Sequence, residues 1–174
     1  MCIRDRYKEQ PSNRNFLNPI GYLLKLEKFA GVDFFCQAAN LPDVTMPVTE
    51  VPSPFRSLPI TPGGGVAFGD FSVRFIVDED LKNYNSIHKW MRDNGNADQM
   101  KRVTLEEDIY TNGNLQIVTS SYNPAFIVEF RNLFPVALSG LQFDATISDV
   151  EYITAEVTFK HQQFFIRDKS MQPL

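Results

Sequence analysis

Two histidines, two cysteines and a few acidic clusters are the groups in this 174-residue chain whose types suit catalysis or metal binding. A catalytic site needs a nucleophile beside a base, or paired carboxylates held at unequal pKa. Cys36 lies in Phe34-Phe35-Cys36-Gln37, flanked by apolar side chains on a predicted strand, and reads as a buried, inert thiol. His88 falls on or beside the apolar face of a predicted helix and reads as a packing histidine. His161 stands among Lys160, Gln162 and Gln163 and reads as a surface residue. Glu106-Glu107-Asp108 reads as a solvated acidic loop rather than a cation site. Asp78-Glu79-Asp80 lacks the spaced oxygen ligands and closing glutamate of a calcium loop. Pro62-Gly63-Gly64-Gly65 is followed by neither Gly-Lys-Ser/Thr nor a helix, so it reads as a flexible turn rather than a phosphate loop. The patterns HExxH, GxSxG and CxxC do not occur. These residues predict no catalytic site, no cofactor site and no metal site.

Composition bounds the remaining classes. The length fits one domain. With 43% hydrophobic residues and 15 Phe, the chain holds ample material for a packed core. No apolar run approaches the ~20 residues of a membrane helix, so no such span is expected. A formal net charge of −4 argues against a tight nucleic-acid binder, and the basic residues are scattered rather than gathered in a stripe. Two cysteines make no disulfide framework. Met1–Gln10 has no apolar core or cleavage site for secretion and reads as a non-native leader of translated adapter sequence, with the native start near Pro11. Without it the remainder carries −5, because the leader holds three basic and two acidic residues. One domain is expected over 11–174.

Period-two alternation predicts strands at Tyr22–Phe29, Phe71–Val77, Ala125–Arg131 and Ile153–Lys160. The last of these is expected to be the longest, extended by Phe164–Ile166. Phe34–Ala39 is expected to return on the first strand as a hairpin. Asn112-Gly113 predicts a turn between strands near Val103–Tyr110 and Leu115–Ser120, and Phe134-Pro135 is expected to end the strand before it. Leu81, Tyr84, Ile87, His88 and Met91, with Trp90 beside them, predict the one helix, capped by Asp78 and stopped near Gly95. The sum is a mainly β domain, a sandwich or barrel with one flanking α-helix.

Residues 41–62 are different. Pro42, Pro47, Pro52, Pro54, Pro59 and Pro62 exclude a central strand and leave room only for short edge strands around Met46–Val51 and Phe55–Ile60. Val48, Val51, Phe55, Leu58 and Ile60 make the segment too apolar for an idle linker. It reads as an arm that docks on another chain, with a loop folded on its own domain as the alternative. An apolar arm, many strand edges and no active site suit a self-assembling protein.

In order and spacing the chain resembles the tail tube proteins of contractile-tailed bacteriophages. The matching residues run from Asn15-Phe16-Leu17-Asn18-Pro19 and Tyr22, through Phe35-Cys36-Gln37, Leu41-Pro42 and Val48-Thr49-Glu50-Val51. They continue with Phe68-Gly69-Asp70-Phe71, Phe75 to Asp80, Asn83-Tyr84 to Trp90-Met91, Phe134-Pro135 and Leu138-Ser139. They close with Asp149-Val150, Tyr152, Ala155 and Thr158-Phe159. The resemblance implies a non-enzymatic virion protein whose six copies form a ring. The rings stack through the arm at 41–62 into a conduit for genome ejection. It implies sheath and baseplate partners, DNA that passes without specific binding, assembly in the host cytoplasm and residence in the virion tail. Asp144, Asp149, Glu151 and Glu156, on or near the final predicted strand, are the candidate acids of the inner wall. A tube initiator, cap or terminator, or another baseplate relative, is the alternative within the family. A soluble β-sandwich enzyme or binding module is the alternative outside it.

Overall fold

Among the described residues, alternating apolar positions and one amphipathic run build the following strands and helix. They are β1 (Tyr22–Leu26), β2 (Cys36–Ala39), β3 (Val44–Thr45), β4 (Glu50–Pro52), β5 (Ser57–Pro59), β6 (Ala67–Phe68), β7 (Phe71–Ile76), α1 (Lys82–Gly95), β8 (Thr111–Val118), β9 (Pro124–Leu138), β10 (Thr154–Lys160) and β11 (Gln163–Asp168). The computed structural model describes residues 17, 20–27, 36–60, 65–95, 109–119, 123–144, 146, 152–168 and 172. Outside them lie the expected leader at 1–10, residues 62–64 of the glycine-rich turn, the expected strand near Val103–Tyr110 up to residue 108 with its acids at 106–108, Asp149 and Glu151; Ile109, at the end of that expected strand, is helical.

Seven strands pair antiparallel in the order β1-β8-β9-β10-β7-β2, with β11 also on β9. They form two four-stranded layers that share β9. Its first half pairs with β8 and β11, and its second half pairs with β10. The first sheet is therefore β1-β8-β9-β11 and the second is β9-β10-β7-β2. Leu24, Leu26, Leu115, Val128 and Phe130 of the first sheet and Phe71, Val73, Phe75, Val157 and Phe159 of the second fill the core. Phe71 stacks on Phe130 at 4.4 Å between ring centres. Helix α1 closes the core with Ile87 and Trp90, the latter 6.3 Å from the Phe159 ring.

Several expectations change. The longest strand is β9, at 15 residues, not β10. It runs through Pro135, which is buried at the irregularity where the β9–β10 register shifts, a position that needs no ladder donor. β10 does not continue into Phe164–Ile166. The chain breaks at His161–Gln162, and β11 crosses to the first sheet. The cause is a shared corner. Asn132 takes a positive φ of 52°, which asparagine tolerates, and β9 bends there from one sheet to the other. Gln162 N–H donates to the Arg131 carbonyl at 3.2 Å, and Asn132 Nδ2 donates to Gln162 Oε1 at 2.7 Å, so both chains turn together.

β1 and β2 form no hairpin; they edge opposite sheets, β1 on β8 and β2 on β7. Asn112-Gly113 lies inside β8 at a register shift instead of in a turn. A Cβ on Gly113 would stand 3.0 Å from Leu26 Cδ2, so the glycine serves close packing. The helix begins at Lys82, after the three acids, and Leu81 before it takes a positive φ of 56°. The side chain that ties its start to the sheet is the buried Asn83. Its Nδ2 donates to the Ile76 carbonyl at 2.8 Å, and its Oδ1 accepts from Asp78 N–H at 3.1 Å. The buried face is accordingly Asn83, Ile87 and Trp90, while Leu81 and His88 are exposed.

Candidate functional site

Residues 41–68 leave the second sheet after β2 and return to it at β7. Asn40 anchors their root by copying a strand: its Nδ2 donates to the Asp70 carbonyl at 3.0 Å, and its Oδ1 accepts from Ser72 N–H at 2.6 Å. Gly69 N–H donates to the Asp43 carbonyl at 2.9 Å. A Cβ at Gly69 would fall 1.7 Å from Asp43 Oδ1 and 3.3 Å from Asp43 N, so any larger residue would have to turn the exposed Asp43 carboxylate aside. Above the root, β3 and β6 pair as a short stalk, with Val44 opposite Phe68.

Beyond the stalk stands a second ribbon, β4 on β5, with Val51 directly opposite Leu58. Ile60 N–H donates to the Thr49 carbonyl at 2.9 Å, and Ser53 N–H donates to the Arg56 carbonyl at 3.2 Å across the tip. The expected edge strands are thus the two limbs of one hairpin. Val48, Val51, Phe55, Leu58 and Ile60 are all exposed, and Phe55 at the tip is 98% exposed. A two-stranded ribbon is marginal alone in water, and a contiguous apolar surface without a cover marks an interaction site.

His161 is half-buried rather than fully on the surface. The corner at 161–162 turns its ring inward among Phe68, Phe130 and Phe164, at centroid distances of 5.8, 5.3 and 5.7 Å. Both ring nitrogens are buried and meet no hydrogen-bond partner among the described residues. Burial holds its pKa below the ordinary histidine value, against a smaller upward pull from Asp70. Phe68 also packs edge-on to Phe164 at 5.4 Å, so this aromatic cluster grips the returning limb of the arm.

The outer faces of the two sheets differ. On the first sheet, Glu129 accepts from Arg131 Nε at 2.9 Å and lies 2.5 Å from Arg167 Nε. The hydrogen bond from Arg131 is the main reason its carboxyl stays below the usual range. Phe165 sits between the two guanidiniums, at 5.0 and 5.8 Å. On the second sheet, Ala38, Arg74 and Glu156 form one cross-strand row, and Ser72, Thr158 and Ala137 form the next.

Of the candidate wall acids, Glu156 is exposed on this second face. Asp144 lies in the segment after β9. There the Thr146 hydroxyl and N–H donate to it at 2.6 and 2.8 Å and lower its pKa. Cys36 is half-buried beside Tyr22, and burial first, then the thiol, pushes the Tyr22 phenol up to about 12. Among the described residues no three His, Cys, Asp or Glu side chains gather as metal ligands, and no helix is long and apolar enough to cross a membrane.

The described residues form a two-sheet β domain with the helix α1 across its core and a projecting apolar hairpin. The family model for phage tail tube protein matches residues 9–167, and the chain belongs to that family. It is a tail-tube-like structural protein and not an enzyme. Similar folds occur in the anti-feeding prophage tube terminating cap, at 14% identity and a TM-score of 0.64, covering 97% of this chain and 99% of that one. They occur in the sheath–tube complex of an extracellular contractile injection system, PVC, in its extended state (13%, TM-score 0.60, 97% and 99%). An Hcp protein is also similar (10%, TM-score 0.52, 87% and 94%). No curated protein matches the sequence significantly.

Proposed function

We propose that this chain is a tube subunit. Copies join sheet edges into a closed ring of six, and rings stack into the conduit through which the genome leaves. The observation that carries this reading is the arm: an apolar hairpin held at its root, exposed on both limbs, and tipped by a solvent-facing Phe55. Its partner is the neighbouring ring. β2 and β11 lie at the margins of the described sheets, and strand-to-strand pairing between copies there would join neighbouring subunits.

The outer face of the second sheet lines the channel. It carries hydroxyls and charges, whereas the first sheet presents Leu23 and Phe165 beside its ion pairs, a surface suited to sheath contact. Sheath and baseplate proteins are the other partners, and DNA passes without specific binding. The protein would assemble in the host cytoplasm and reside in the virion tail. A second reading, a tube-terminating or initiating element, has the likeness to the prophage cap in its favour.

Negative-stain electron microscopy of the purified chain tests both. Stacked rings with a central channel are expected of a tube subunit, and single closed rings of an end element. A monodisperse monomer at high concentration would end both readings.

A further inference from the structure

The chain is acidic, and Glu156 alone would give the channel wall a ring of negative charge. The register says otherwise. Glu156 stands directly opposite Arg74 on the adjacent strand, and both are exposed. Directly opposed residues hold their Cβ atoms about 5 Å apart, within reach of these long side chains. Toward the other end of the same strand pair, Lys160 Nζ lies 3.8 Å from Asp70 Oδ1, both again exposed. Between them the face carries Ser72 opposite Thr158, and beyond Glu156 it carries Thr154 opposite Ile76. Among the described residues this face therefore holds two acids and two bases, each acid next to a base.

We propose that Arg74 and Glu156 form a compensating pair that makes the second sheet's outer face electroneutral, so that cargo of either sign passes ungripped. This rests on the tube reading, since only a ring closes that face into a wall. A lone charge repeated around a ring produces a potential that a passing polyion feels along its whole length. Opposite charges on directly opposed residues produce a dipole field instead, which falls off faster than that of a lone charge and is further cut by the ~8–10 Å screening length of physiological salt. With the pair intact, a polyanion gains no counterion release at the wall, and a polycation gains none either. Arg74, not the scarcity of acids, is then the residue that keeps the wall from selecting positive cargo.

The test uses assembled tubes of the full chain, checked by electron microscopy, with a short DNA duplex and oligolysine as probes at low salt. Wild-type tubes should retain neither. Glu156→Gln tubes should retain DNA about tenfold more, with steep loss on adding salt. Arg74→Gln tubes should retain oligolysine, and the Arg74→Gln/Glu156→Gln double variant should return to wild-type behaviour toward both. The swap Arg74→Glu/Glu156→Arg keeps both charges and must also match wild type, which covers a single variant that fails to assemble. Wild-type tubes that already retain oligolysine, or a Glu156→Gln variant indistinguishable from wild type, would overturn the pairing and leave the tube reading intact. Absence of tubes in the wild-type protein would overturn the tube reading, and the pairing with it.

Discussion

Phe55→Ala separates assembly from folding more cleanly than any other substitution in the arm. The ring is 98% exposed, so the isolated subunit gains almost nothing from it. Its removal should leave the subunit's melting temperature unchanged, because substitutions at surface positions without special contacts stay within about 0.5 kcal/mol. Docked on a neighbouring ring, the same side chain would go from full exposure to burial, worth about 2 kcal/mol. That converts to roughly thirtyfold weaker association per arm, compounded over every arm at a junction. The other four apolar residues of the hairpin are already partly shielded and have less left to gain. Sedimentation velocity and tube-length distributions read the association; thermal melting of dissociated subunits reads the fold. Phe55→Ala tubes of normal length, or a variant that melts several degrees lower, would refute the argument, because the tip would then belong to its own domain.

Three further outcomes follow from contacts described above. Deleting 47–59 removes the hairpin but keeps the stalk, the root and both sheets, so it should abolish ring stacking while circular dichroism and melting show a folded domain. Asn83→Ala leaves the Ile76 carbonyl and Asp78 N–H unpaired at a buried site, which should cost about 2 kcal/mol, a fall in Tm of roughly 4–8 °C. His161 titrates below its ordinary value in the fold, so the unfolded chain binds the proton more readily. Its contribution is complete above the unfolded pKa near 6.5 and is lost as pH falls below that value, with a slope no steeper than about 1.4 kcal/mol per pH unit. Denaturant titrations from pH 7.5 to 5 should show a larger loss in wild type than in His161→Phe, and parallel curves would count against the aromatic cage.

Local patterning made much of this domain readable. The alternation in Phe71–Ile76 and Thr154–Lys160 located two central strands and their inward faces. The spacing up to Met91 located the helix, and the prolines located the arm. Pairing was not readable, because the period of a strand carries no information about its partner. Tyr22–Leu26 and Cys36–Ala39 look like a hairpin and lie at opposite ends of the strand order. Gly113 and Pro135 read as interruptions because their tolerance depends on register shifts that appear only once the strands are paired. The arm's hairpin was half legible: its apolar residues were visible, its register was not. His161 was misread because the three phenylalanines around it come from β6, β9 and β11, so no local window shows its burial. The spacing of 83, 87 and 90 did contain the helix's true inward stripe. A polar residue at its head hid it.

The corner at Asn132 also bears on mechanics. Because β9 passes through that corner from the first sheet into the second as one covalent strand, shear that would slide the two layers past each other is carried in part by peptide bonds. Side-chain packing alone would yield at far lower load. A sudden force on the first sheet therefore reaches the second with little slippage.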